Sequence, residues 1–134
     1  MKNKIDCVLL VDDDDGHNYL TRMVIEDAAI ARHIRTAWNG KEAIDYLTGN
    51  PPPELILLDI NMPVMDGWDF MAEYRRLEDA QKRRIMIVML TTSANPDDRE
   101  RARTFPDISG FQCKPLTPEA LEEVVRKYFT EYVR

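Results

Sequence analysis

The chain has 134 residues, of which 44% are hydrophobic and 31% charged, enough to bury one core but not to build a second module of similar size beside it. This mixture excludes disorder and collagen-like repeats, and no apolar run is long enough to cross a bilayer. A net charge of -6 excludes sequence-independent attachment to nucleic acid or anionic lipid, both of which need a cationic surface; proteins and small ions are the expected partners.

The first residues, Met1 to Lys4, are basic, but Asp6 follows and only Val8 to Val11 is apolar, so no export signal and a cytoplasmic location are expected. Val8 to Val11 predicts a strand. Leu20, Met23, Val24 and Ala28 then fall on one stripe at steps of three and four, predicting a helix that buries that face. A weaker strand fits His33 to Ala37, and Ala43, Ile44 and Leu47 form the stripe of a second helix. Pro51 to Pro53 make a stiff lead-in to a strand at Leu55 to Leu58.

Phe70, Met71, Tyr74 and Leu77 mark a third helix, and Ile85 to Leu90 a fourth strand. Asn95-Pro96-Asp97-Asp98 opens a fourth helix, with acids near its positive end but few apolar residues from Arg99 to Arg103; it is predicted to be the weakest and most mobile, with its arginines on a solvated face. Gly110 to Cys113 fits a fifth strand. Thr117 caps the last helix, Pro118 suits its first position, and Leu121, Val124, Val125, Tyr128, Phe129 and Tyr132 align on one side. Cys7 and Cys113 are expected to be buried free thiols, Trp38 and Trp68 packing residues, and His17 and His33 ordinary surface residues.

Five strands alternating with five helices, without a Gly/Ser linker, predict an α/β doubly wound parallel sheet in three layers, one unit over residues 1–134 with no output domain. Ligands of such folds bind beyond the carboxyl ends of the strands. There the sequence places Asp12 and Asp13 after the first strand, Asp59 at the end of the third, Thr91 after the fourth and Lys114 after the fifth. Crowded carboxylates repel one another and hold protons unless a hard, oxygen-seeking cation neutralises them. Magnesium fits, with manganese as the alternative ion: the -3 of Asp12, Asp13 and Asp59 is offset by +2 from the metal and +1 from Lys114. Four successive aspartates blur the register, but the apolar run ends at Val11, which favours Asp12 and Asp13, leaves Asp14 as second choice, and makes Asp15 the expected cap of the first helix.

The run from Val8 to Asp14 (VLLVDDD), then Leu57 to Gly67 (LLDINMPVMDG), Leu90-Thr91 and Lys114-Pro115 resembles the response-regulator receiver family, CheY-like proteins included. Four pieces in the right order, each at a strand end, make a specific match over essentially the whole chain. The resemblance implies a flavodoxin-like sheet of order 2-1-3-4-5 and an acyl phosphate on Asp59. It also implies metal bound directly by Asp13, through water by Asp12 and by the backbone carbonyl of Asn61, with phosphoryl oxygens held by Thr91 and Lys114. Lys114-Pro115 matches the family's cis peptide. The implied partners are a sensor histidine kinase or histidine phosphotransfer protein and a downstream protein target.

In the family, phosphoryl lifetime is tuned at the positions of Asn61 and Ser93, and the switch is a threonine drawn inward with an aromatic residue rotating behind it. Those residues here are Thr91 and Phe111, and relatives read the state on the fourth helix, fifth strand and fifth helix. Three departures touch rate and readout: Thr92 is bulkier than usual, the approach from Phe105 to Gly110 lacks the usual Gly-Ala, and Phe111 replaces tyrosine. The chain is not expected to be an enzyme on external substrates, since it would catalyse only its own phosphorylation and dephosphorylation. A haloacid-dehalogenase-type phosphatase needs a second acid two residues beyond its nucleophile, where this chain has Asn61. The remaining alternative is a phosphorylation-independent receiver-like interaction module, against which the intact set of acids counts.

Overall fold

The computed structural model describes residues 4–79, 85–92 and 96–129. In chain order its elements are β1 (Ile5–Val11), α1 (Asp15–Ala28), β2 (Ala31–Ala37), α2 (Gly40–Gly49), β3 (Leu55–Asp59), α3 (Gly67–Tyr74), β4 (Met86–Thr91), α4 (Pro96–Ala102), β5 (Ile108–Cys113) and α5 (Pro118–Tyr128). The strands form one parallel sheet in the order β2-β1-β3-β4-β5, as the resemblance implied.

Parallel strands buried on both faces need apolar residues at every position, which explains why β3 is buried from end to end. Alternate side chains sort into two cores. Val8, Leu10, Leu55, Leu57, Val88 and Leu90 meet Ile25 of α1 and Leu121, Val124 and Val125 of α5. Leu9, Val11, Ile56, Leu58, Ile87 and Met89 meet Ala43 and Leu47 of α2, Phe70, Met71 and Tyr74 of α3, and Ala102 of α4. Helices α1 and α5 therefore cover one face of the sheet, and α2, α3 and α4 the other.

Three strands start earlier than the apolar runs suggested. β1 begins at Ile5, β2 at Ala31 and β5 at Ile108. Their first residues pair through the backbone, as in Ile5 with Ala31 and Cys7 with His33, where one flank is open to solvent and polar residues are tolerated. The stripe assigned to α1 is rotated from its true buried side. Leu20 and Met23 are 49% and 41% exposed, whereas Asn18, Thr21 and Ile25 are buried. The buried arc contains two polar residues, Asn18 being satisfied by donating from its side-chain amide to the Asp12 carbonyl at 2.9 Å.

The cap of α1 is Asp14, not Asp15: its Oδ1 accepts the His17 N–H at 3.0 Å. Asn39, Asp66 and Thr117 cap α2, α3 and α5 in the same way. Cys113 is exposed and Cys7 half-buried, so neither is the fully buried thiol expected; Cys113 is the last residue of β5, and Cys7 Sγ lies 3.7 Å from the Tyr46 hydroxyl of α2. Trp38 is 46% exposed, correcting its assignment as a packing residue, while Trp68 is buried against Phe105 with ring centroids 5.8 Å apart. Arg99 and Arg101 of α4 are not simply solvated, since their guanidinium groups lie 4.9 Å and 4.6 Å from the ring centroids of Phe111 and Trp68. Ser93, Asn95 and Tyr132 lie outside the described residues.

Gly67 couples the start of α3 to the end of β3. Its N–H donates to the Ile60 carbonyl at 2.7 Å, and a Cβ there would stand 2.5 Å from the Asp59 carbonyl oxygen and 3.0 Å from the Ile60 Cα. Those are backbone atoms that cannot swing aside. Gly67→Ala is expected to cost about 1–3 kcal/mol by forcing the β3–α3 connection apart, read as a lower urea midpoint at unchanged slope.

Candidate functional site

The carboxyl ends of β1, β3, β4 and β5 deliver the polar residues to one edge of the sheet. Asp59 is the last residue of β3, Thr91 the last of β4, Asp12 follows β1 and Lys114 follows β5. The neighbouring ends are tied through the backbone: the Asp12 N–H donates to the Ala37 carbonyl at 3.1 Å, and the Lys114 N–H to the Thr91 carbonyl at 2.7 Å. The Lys114-Pro115 peptide is cis.

Carboxylate oxygens of Asp12, Asp13 and Asp59 all lie within 4.8 Å of one another. Asp12 and Asp59 are buried, at 7% and 8% exposure, and Asp13 faces solvent. Lys114 reaches over β4 into this group, with Nζ 2.5 Å from Asp12 Oδ2 and 3.1 Å from Asp59 Oδ1. The other oxygen of Asp12 accepts the Asp14 N–H at 2.9 Å, so that carboxylate is fixed at both ends. Thr91 is 1% exposed. Asn61 lies two residues beyond Asp59 with its side chain in solvent, and Phe111 is half-buried on β5, three residues before Lys114 and apart from the carboxylates.

Burial pushes the Asp59 carboxyl above the ordinary carboxylate range; Lys114 pulls it down, and the neighbouring charge of Asp12 pushes it up again. Three carboxylates and one ammonium leave a formal charge of -2 in a largely buried space, a donor set that suits a hard divalent cation with oxygen ligands. Asp14, by contrast, is held below the ordinary range, chiefly by the His17 N–H that it caps. It is committed to the helix start, which separates it from the pocket acids.

Sequence reasoning missed His17. Its ring is partly exposed at the lip of the pocket, with Nδ1 3.4 Å from Lys114 Nζ and 3.9 Å from Asp12 Oδ2. The signal was available in principle: a residue three positions past the cap Asp14 lies on the first turn of α1, whose start faces the sheet edge. Asp12 and Asp14 of the acidic run before it lie 3.9 Å and 3.8 Å from Nδ1, whereas the contact with Lys114 spans 97 residues and has no local signal.

Fold and site together define a doubly wound α/β domain in which a strand-end aspartate stands among acids and a lysine at the carboxyl edge of the sheet. The family model of the response regulator receiver domain matches residues 8–126. The chain is 31% identical over 121 residues to chemotaxis protein CheY1 of Helicobacter pylori, covering 87% of this chain and 90% of that protein. It is 33% identical over 125 residues to the probable methanogenesis regulatory protein FilR2 of Methanothrix harundinacea, covering 90% of this chain and 79% of the other. The crystal structure of a two-component response regulator from Cytophaga hutchinsonii superposes with a TM-score of 0.86 at 30% identity, over 95% of this chain and 98% of that one. The chain belongs to the response regulator receiver family, whose role is two-component signalling.

The raised pKa of Asp59 has a consequence for stability. A carboxyl whose folded pKa lies above its ordinary value of 3.8 binds more protons folded than unfolded in the window between the two. Its favourable contribution is therefore complete below about 3.8 and is lost as pH rises through the folded pKa. Without divalent cations, Asp59→Asn is expected to melt above the unsubstituted protein at neutral pH, with the gap closing as pH falls toward about 4. Thermal unfolding in chelator across that range checks both the sign and the window.

Proposed function

We propose that Asp59 is the phospho-acceptor of this receiver, taking a phosphoryl group from a phosphohistidine on a sensor histidine kinase or histidine phosphotransfer protein. One observation carries it: the Asp59 carboxylate ends β3 beside Asp12 and Asp13 with the Lys114 ammonium 3.1 Å away. A nucleophile, a cation-holding acid pair and a counter-charge for phosphoryl oxygens are thus on one edge. In the transfer, Asp59 oxygen attacks phosphorus, the P–N bond to the donor imidazole breaks, and an acyl phosphate forms.

In this reading Asp12, Asp13, Asp59 and the backbone carbonyl of Asn61 would hold magnesium, which would cancel carboxylate charge and supply positive charge to the transferring group. Manganese is the alternative ion. Lys114 leaves its pairing with Asp12 to neutralise an equatorial phosphoryl oxygen as a point charge. Thr91 donates its hydroxyl to another, and its movement opens room for Phe111 to rotate. Hydrolysis of the acyl phosphate by water returns Asp59 to its starting state, so the domain acts once per phosphoryl group and turns over no external substrate. No helix among the described residues is long and apolar enough to cross a membrane; the setting proposed is the cytoplasm, where histidine kinases load their partners. Output is proposed to pass by protein contacts to a downstream target.

Incubation with acetyl phosphate and magnesium is expected to add one phosphate by intact mass, and Asp59→Asn to abolish the adduct. Lys114→Ala should slow loading by roughly a hundredfold, the loss typical of a positioned charge at a transferring group. Unchanged mass in the unsubstituted protein with intact magnesium binding would instead favour an interaction module without covalent chemistry.

A further inference from the structure

The proposed reaction leaves His17 without a task, yet its placement is specific. It is the third residue of α1, its N–H is tied to Asp14 Oδ1 at 3.0 Å, and its Nδ1 lies 3.4 Å from Lys114 Nζ. An ammonium has three hydrogens and no lone pair, so a hydrogen bond between the two has Nδ1 as its acceptor; Asp12 Oδ2 at 3.9 Å and Asp14 Oδ2 at 3.8 Å lie near the same nitrogen. Lys114 is 5% exposed at its side chain. Its three donors there face three acceptors, Asp12 Oδ2 at 2.5 Å, Asp59 Oδ1 at 3.1 Å and His17 Nδ1 at 3.4 Å.

Two of those acceptors are altered in the reaction proposed above. Asp12, 2.5 Å from the ammonium, takes a share in holding the cation, and an Asp59 oxygen becomes part of the acyl phosphate. His17 is the acceptor that is chemically the same before, during and after transfer. It also stands on a rigid element, since the first turn of α1 is fixed by the Asp14 cap and by the Asn18 amide on the Asp12 carbonyl at 2.9 Å.

We propose that His17 is a positioning residue for phosphoryl transfer: its Nδ1 holds Lys114 over the pocket while Asp12 and Asp59 exchange their partners. This rests on the assignment of Asp59 as phospho-acceptor. A flexible lysine loses rotamer freedom when it is held, and an acceptor that persists through the reaction removes that cost from the transfer step. The weak, long contact suits the role, because a tighter one would keep Lys114 from the phosphoryl oxygens.

The test compares the unsubstituted protein with H17A and H17N, since an asparagine Oδ1 can stand where Nδ1 stands. In protein carrying 15N-labelled lysine and no divalent ion, the exchange of the Lys114 ammonium protons with solvent is expected to quicken about tenfold in H17A and return in H17N. With acetyl phosphate and magnesium, H17A should load about tenfold more slowly and H17N near the original rate, while magnesium affinity and the melting temperature change little. Equal exchange and loading in all three proteins, or H17N no better than H17A, would overturn the role. If the unsubstituted protein forms no phosphate adduct at all, the phospho-acceptor reading fails, and ammonium exchange alone then decides whether His17 holds Lys114.

Discussion

A lysine ammonium shared between two buried carboxylates is the interaction on which this structure turns. Asp12 and Lys114 are 102 residues apart in sequence, and the sheet order puts β4 between β5 and β3, and β3 between β4 and β1. Neighbouring strands are roughly 4.8 Å apart, so only a long side chain starting beyond the end of β5 can meet the acids. Desolvating these charges is expensive, and their mutual attraction offsets it only where geometry is good and remaining lone pairs are used. That condition is met in part by the protein itself, through the Asp14 N–H on Asp12 Oδ1.

The same triad explains why the edge is electrostatically unbalanced. Lys114 cancels one of three negative charges, and burial, with the charge of Asp12 adding to it, keeps the Asp59 carboxyl above the ordinary range. The site is thus left short of positive charge by its own residues, a standing demand that a divalent ion would satisfy. Supporting contacts keep this unfavourable arrangement in place. Gly67 lets α3 start against the Asp59 backbone, and the Gly40 N–H donates to the Met65 carbonyl at 2.9 Å, holding the β3–α3 connection from the other side.

In the proposed function, readout would follow the same strand ends. The Lys114 N–H is bonded to the Thr91 carbonyl, so a shift of either residue is felt by β4 and β5 together. Two residues upstream of the Thr91–Cys113 pair, Phe111 pairs with Met89 and carries the Arg99 guanidinium over its ring. Phenylalanine has no hydroxyl to bond a partner or a neighbouring element, and the cation of α4 supplies a different hold on the ring. In the proposed function, rotation of Phe111 would have to release that contact, which links the acid pocket to α4 through one aromatic side chain.

The amino-acid sequence by itself determined the architecture and the roll of pocket residues. Continuous apolar runs at Val8–Val11, Leu55–Leu58 and Ile85–Leu90 can only be strands covered on both faces, and the polar residues that end them must then meet at one edge. Tertiary structure decided what local patterns do not encode. The stripe on α1 was misplaced because Asn18 and Thr21 are buried by virtue of a partner, Asp12, and of small size, neither of which hydropathy registers. Asp14 rather than Asp15 caps that helix because the cap is set by which backbone dihedral breaks first, a choice invisible in a run of four identical acids. His17 stands beside Asp12 because α1 starts just past the end of β1, but its contact with Lys114, spanning 97 residues, forms only when the end of β5 is brought to that edge and leaves no periodic trace in the chain.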